Sequence, residues 1–205
     1  MLFITIGIKF ANGEDQAASI TSKLHTYIRD LSDPDFHIRW KALETLAKLG
    51  PQAAPAVPAL IDRLEEKYDH YRAIGVLGVI GPAAAPAVPV LLHHLEHDLS
   101  VEDKLYKNES TDAIGIIETL AEIGPAAKEA ILLLRQALKD EVSAIRYFAA
   151  YALGEMGPAA SVAIPDLKNL LTDHEYVGRY EYPHGKDVGE AAAQTLQKLQ
   201  GVVKK

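Results

Sequence analysis

Two histidines stand one helical turn apart in "HHLEH", where His93 and His97 flank Glu96. A pair at that spacing can grip a metal ion with a carboxylate nearby. Leu92 and Leu95 already supply the buried face of the same helix, so the histidines read as a solvated helix end. The second His-Glu pair, His174-Glu175 in "DHEY", falls in an expected loop. "GRYEYPHGKD" has six residues between its glycines and no Ser or Thr after Lys186, so it is not a P-loop. No G-x-S-x-G elbow and no G-x-G-x-x-G turn occurs. Cysteine is absent, which removes disulfides, thiolate zinc sites and iron–sulfur clusters. The residues imply no cofactor and no metal.

Aromatic side chains remain, and their chemistry is binding. Trp40, Tyr71, Ile114, Tyr147 and Glu190 occupy equivalent positions of a repeat, and Tyr151 follows Tyr147 by one turn. Trp and Tyr join large apolar area to a polar tip, which makes them good anchors for a partner. The same stripe can equally fill a core. Two long turns give a second set of candidates. "LSVEDKLYKNES" and "HEYVGRYEYPHGKD" sit at the same place in two repeats, two repeats apart. Such turns project along one edge of an array. The second carries Tyr176, Arg179, Tyr180, Tyr182 and His184; a loop packed over its own C-terminal helix would account for them as well.

The elements that must position these residues come from a repeat. Gly50, Gly81, Gly124 and Gly157 are each followed by Pro. Ala recurs three and six residues after each Gly, Val or Ile at seven, and Leu at ten and fourteen. Offsets of seven, ten and fourteen lie on one helical face. Four before each Gly stands Leu46, Leu77, Leu120 or Leu153, and eight before stands Ala42, Ala73, Ile116 or Ala149. The unit is therefore helix, Gly-Pro turn, helix. Gly is expected to end the first helix in the left-handed conformation. Pro58, Pro89 and Pro165 are expected in the first turn of the next helix, where a missing N–H costs nothing. The series Ile38, Ala42, Leu46, Leu49 is expected to face the core.

The spacings are 31 residues (50 to 81), 43 (81 to 124) and 33 (124 to 157), and Leu199-Gln200 extends the register by 43 (157 to 200). Five helix pairs follow, over 16–49, 53–80, 84–123, 126–156 and 160–200. No pair can bury its apolar face alone, whereas stacked neighbours can. The expected fold is all-α, a right-handed α-solenoid of about five pairs, in one domain over residues 14–205.

Residues 1–13 stand apart. "MLFITIGIKF" carries an apolar run too short to span a bilayer. It reads either as a short export signal, cleaved before Glu14, or as a docked or disordered arm; export or a periplasmic location follows from the first reading and a cytoplasmic one from the second. A net charge of −7 with neutral His argues against a nucleic-acid-binding surface. No stable membrane insertion is expected.

"HIRWKALETLAKLGPQAAPAVPALIDRL" and "AIRYFAAYALGEMGPAASVAIPDLKNLL" resemble HEAT repeats, in particular the bacterial HEAT-like repeats also found in phycobilin lyases. The resemblance covers about residues 16–200. It implies that the second helix of each pair lines a concave surface. It also implies a ladder between repeats, carried by Asp35, Ile38 and Arg39 and by Asp140, Ile145 and Arg146. The Arg column reads Arg39, His70, Ala113, Arg146, Gly189, so the ladder is expected to be broken. HEAT-repeat deoxyhypusine hydroxylases carry His-Glu pairs on inner helices as iron ligands; here Tyr147-Phe148 takes that place. The resulting expectation is a non-enzymatic scaffold that binds another protein or peptide through Trp40, Tyr71, Tyr147 and Tyr151 and through Tyr176, Arg179, Tyr180 and Tyr182. A bilin-lyase-like accessory protein is the alternative, and a metal-dependent HEAT-repeat enzyme stands third.

Overall fold

The joints of the array are its Gly-Pro dipeptides. In a computed structural model of the chain, which describes residues 23–66, 68–100, 111–177 and 186–203, Gly50, Gly81, Gly124 and Gly157 have φ of 55°, 74°, 67° and 67°. The positive sign is as the sequence predicts. The basin is not: Gly50 and Gly81 have ψ of −129° and −140°, outside the left-handed helical region. Proline is the cause. Its ring disfavours a helical residue before it, so the glycine extends, and with positive φ it enters the mirror image of the extended region.

These joints separate ten α-helices among the described residues: α1 (23–30), α2 (Phe36–Leu49), α3 (Val57–Leu64), α4 (His70–Ile80), α5 (Val88–Ser100), α6 (Thr111–Ile123), α7 (Ile131–Ala137), α8 (Ser143–Glu155), α9 (Ile164–Asn169) and α10 (Val188–Val203). They form the five expected pairs, α1/α2 to α9/α10. Residues 1–22, including the expected N-terminal segment 1–13, lie outside the described residues.

The Gly-Pro turn is longer than a turn. Gly50–Ala56, Gly81–Ala87, Gly124–Ala130 and Gly157–Ala163 are 3₁₀ segments that run into α3, α5, α7 and α9. A 3₁₀ helix has three residues per turn, so alanines three and six after the Gly share one face. All eight are fully buried, and successive 3₁₀ segments stack on one another. Only a methyl group fits between backbones that close. Pro58 and Pro165 fall in the first turn of α3 and α9, as expected.

The core columns follow the sequence register. Leu60, Leu91, Leu134 and Leu167 are fully buried, as are Leu46, Leu77, Leu120 and Leu153. Two members depart. Ile38 is 40% exposed, although Ile145 and Val188 at the same position are buried; Ile38 belongs to the first pair, whose face has no preceding pair among the described residues. Leu171 is exposed while Leu64, Leu95 and Leu138 are buried; it falls in the 3₁₀ turn Leu170–Thr172 rather than in a helix.

The second helices α2, α4, α6, α8 and α10 lie side by side in sequence, whereas the first helices meet their neighbours mainly through the 3₁₀ segments. The second helices form the tighter of the two layers. Two glycines let it close up. Gly78 and Gly154 face Thr119 and Thr195, and the two hydroxyls donate to the carbonyls of Ile74 (3.0 Å) and Ala150 (2.8 Å) on the facing helix.

The ladder is more continuous than the sequence suggests. Arg39 Nε donates to Asp69 (2.6 Å), and His70 Nε2 contacts Asp112 at 2.9 Å. The residue eleven before one Gly thus meets the residue twelve before the next Gly. Ala113 and Ile145 occupy those places at the following junction. Arg146 resumes the ladder with Asp173 (2.7 Å) and Glu175 (3.0 Å), carboxylates of the long turn after α9. Both arginines also clasp their own turn: Arg39 donates to the carbonyls of Asp33 and Pro34, and Arg146 to those of Asp140 and Glu141. The structural role expected of the arginines is what these bonds show.

The run from His70 to Ser100 contains an 18-residue stretch apolar enough to cross a membrane, with mean hydropathy 1.9. Half of that stretch is buried inside the array and Gly81 divides the run, so core packing accounts for its composition.

Candidate binding groove

Second helices present a stripe at ten, six and two residues before each joint. Read across the array, the rows are Trp40, Glu44, Lys48 on α2; Tyr71, Gly75, Val79 on α4; Ile114, Glu118, Glu122 on α6; Tyr147, Tyr151, Glu155 on α8; and Glu190, Gln194, Lys198 on α10. The spacing of four keeps each row on one helical face. None of these fifteen residues is fully buried.

The middle of this face is a groove of about 650 Å³ between α4, α6 and α8. Its aromatic walls are Tyr71, Tyr147, Phe148 and Tyr151, and its floor includes Gly75, Gly78 and Gly115. The floor is low because glycines line it. A Cβ at Gly75 would meet nothing within 4 Å, and one at Gly115 would meet only Ile74 and Tyr71 at the edge of contact. Tyr71 is 55% exposed and Tyr151 40%. Tyr147 is half-buried, packed on the core and edge-on to Phe148 with ring centroids 5.2 Å apart.

Charges frame the rings. Glu118 and Glu122 line the groove from α6 and Arg72 from α4. The Arg72 guanidinium lies 6.0 Å over the Trp40 ring. Lys198 sits 5.6 Å over Tyr151 and pairs with Glu155. Burial, and then the negative fields of Glu155 and Glu122, push the Tyr151 phenol above its ordinary 10.0, with Lys198 opposing.

Of the residues the sequence singled out, the structure brings Tyr71, Tyr147 and Tyr151 into this groove. Trp40 lies beyond it on α2, joined to it by Arg72. Tyr176 stands elsewhere, exposed on strand β1 (Tyr176–Val177), which pairs antiparallel with β2 (Lys186–Asp187). This short ladder closes the turn expected to be a plain loop. Arg179, Tyr180, Tyr182 and His184 lie outside the described residues, as does 101–110 of the other long turn. Sequence reading missed Arg72, Glu118, Glu122 and the glycine floor. The signal was present: extending the aromatic column by four and eight residues gives both glutamates.

The histidines disperse. His93 lines a shallow pocket with Glu96 and Glu129, and His97 lies 3.5 Å from Asp98. His174 contacts Asp187, and Glu175 is held by Arg146. His70, His94, Asp98 and Asp112 surround a cavity of about 190 Å³, where burial raises the Asp98 carboxyl above its usual range. Among the described residues no group of three His, Asp or Glu has the geometry to hold a metal ion.

Residues 105–182 match the family model of HEAT repeats. No curated protein matches the chain in sequence. Among solved structures, an engineered protein superposes with a TM-score of 0.57 at 19% identity, over 90% of this chain and 49% of that one. This chain thus spans about half the length of that protein. The complex of CpcE and CpcF of phycocyanin lyase from Nostoc sp. PCC7120 superposes with a TM-score of 0.50 at 22% identity, over 87% of this chain and 83% of that one. At these identities the likeness concerns the fold. With residues 105–182 matched to HEAT repeats and Gly-Pro-jointed helix pairs running before them through Gly50 and Gly81, the molecule is an all-α solenoid of stacked helix pairs.

Proposed function

We propose that the protein is a non-enzymatic scaffold that binds another protein or peptide along the face of its second helices. The observation that carries this reading is the groove between α4, α6 and α8. Three consecutive pairs contribute to it, the rings of Tyr71 and Tyr151 are exposed, and Gly75, Gly78 and Gly115 are among its lining residues. Rings held by a rigid helical layer are pre-organised anchors, so little conformational entropy is lost on binding. The edge turn that carries Tyr176, Arg179, Tyr180 and Tyr182 is a second contact region in this proposal.

The test is site-directed photo-crosslinking in the native cell. A crosslinking residue in place of Tyr71 or Tyr151 should capture a defined partner, and one in place of the exposed Leu132 on α7 should not. Capture from Leu132 alone would move the binding face to the first helices.

The likeness to the phycocyanin lyase complex supports a second reading, a bilin-lyase-like accessory protein. It predicts that added bilin changes its absorbance spectrum on mixing with the protein. An unchanged spectrum removes it.

A further inference from the structure

The groove holds charges of both signs. Arg72 lines it from α4, and Glu118 and Glu122 line it from α6. Lys198, over Tyr151, is paired with Glu155. A cationic occupant would be met by Arg72 and an anionic one by the glutamates. The first row of the face differs. Trp40, Tyr71, Ile114 and Tyr147 stand at equivalent positions of α2, α4, α6 and α8, and none of the four carries a charge. Trp40 and Tyr71 are exposed, and Ile114 and Tyr147 are half-buried. The occupant that complements this row is neutral.

Spacing narrows the choice. Packed helices lie about 8–10 Å apart, so the row repeats at about that distance from one pair to the next. A polyproline II segment rises about 3.1 Å per residue, and every third residue returns to the same side after about 9.3 Å. A β-strand returns after two residues, about 6.6 Å, and falls out of step. Between Tyr71 on α4 and Tyr147 on α8, α6 offers Gly115, where a Cβ would meet only Ile74 at 3.7 Å and Tyr71 at 4.0 Å.

We propose that the row receives a neutral, proline-rich segment of the partner in the polyproline II conformation, with one proline ring seated over Gly115 between Tyr71 and Tyr147. The inference rests on the reading of this face as the partner-binding one. Such a segment makes no internal hydrogen bonds, so its carbonyls can accept from the Trp40 indole N–H and the Tyr71 hydroxyl. Proline fixes φ before binding, which lowers the entropy lost, and aromatic-lined grooves are the surfaces on which such segments dock.

The experiment uses the full chain and three fluorescein-labelled twelve-residue peptides of alanine, glutamine and proline. Proline stands at every third position in the first and at every fourth in the second; alanine replaces it in the third. Fluorescence anisotropy should show binding of the first peptide, with roughly tenfold or greater weakening in the third and roughly fivefold in the second. Gly115→Leu fills the slot at a position of ordinary helical backbone. It should weaken the first peptide by about tenfold, as should Tyr71→Ala, and Leu132→Ala on α7 by less than about twofold. Thermal melts establish that each variant is folded. Equal binding of the first peptide and either of the others overturns the inference, as does an unchanged affinity in Gly115→Leu. If all three peptides bind alike and Tyr71→Ala abolishes this, the partner-binding face stands and the proline-rich occupant falls. If none binds, the proline-rich occupant falls, and the crosslinking experiment decides the face.

Discussion

Thr119 lies against Gly78, close enough that a Cβ on the glycine would come within 3.1 Å of the threonine hydroxyl. That hydroxyl donates to Ile74, one turn before Gly78. Thr195 repeats the arrangement on Gly154 and Ala150, with a would-be Cβ contact of 2.9 Å. The two glycines are therefore packing requirements, which raises a contrast with Gly75. Gly154→Val should destabilise the protein by about 2 kcal/mol through overpacking. Gly75→Ala, with open space at its Cβ, should stabilise it by about 0.5–1 kcal/mol through helix propensity. Urea titration of both variants checks the pair; equal effects would mean that the α4–α6 and α8–α10 contacts do not depend on glycine.

The joints make a different demand. Gly124 has φ of 67° and a would-be Cβ 3.7 Å from the Glu155 carbonyl, so its cost comes from the backbone rather than from crowding. Gly124→Val should lose roughly 1 kcal/mol or more. An unchanged melting temperature would show that the joint can adopt negative φ.

The five pairs, their registers and the buried leucine columns were legible because a strict Gly-Pro register lets equivalent positions be compared directly. Three things were not. The exposure of Ile38 depends on whether a neighbour exists, which periodicity does not encode. The ladder looked broken because only the Arg column was read. Its partners Asp69 and Asp112 sit in the adjacent column, and His70 replaces Arg without losing the rung. At Arg146 the partner comes from a long turn, out of register with every repeat. The groove's aromatic wall was legible and its acidic wall was not, because Glu118 and Glu122 read as an ordinary solvated helix until the facing tyrosines were in place.

Exposure separates the aromatic candidates. Tyr151→Ala and Trp40→Ala should cost well under the roughly 3–5 kcal/mol of a buried ring, since both rings remain partly in water. Tyr147→Ala should cost more than either, because Tyr147 packs on the core. The paired change of Arg179 and Tyr180 to Ala should barely alter melting while weakening an identified partner. A thermal melt beside a binding titration measures each; a large stability loss in Tyr151→Ala would return that ring to the core.

Burial pushes the Asp173 carboxyl up, but the Arg146 hydrogen bond, the Glu175 N–H and the positive fields of Arg146 and His174 outweigh it, and its pKa lies below the usual 3.8. A depressed carboxylate stabilises fully above the unfolded-state pKa and loses that contribution as pH falls through the folded-state value. Asp98 has the opposite sign: its pKa is raised, so its contribution is complete at low pH and is lost as pH rises through the folded value. The Asp173 contribution should therefore be lost as the medium is acidified below about pH 4, and Arg146→Met should remove that part of the pH dependence of melting while lowering stability at neutral pH. A variant with the same acid slope as the parent would show that the Arg146–Asp173 pair is not its source.

The ladder also bears on how the pairs are joined. Three junctions carry a hydrogen-bonded rung, and a hydrogen bond 2.6–2.9 Å long is directional. At the junction of the third and fourth pairs the equivalent places hold Ala113 and Ile145, both buried. α6 and α8 border this junction and form two walls of the groove. At this position of the ladder the junction beneath the groove is therefore held by apolar packing, whereas the other three are latched by side-chain hydrogen bonds.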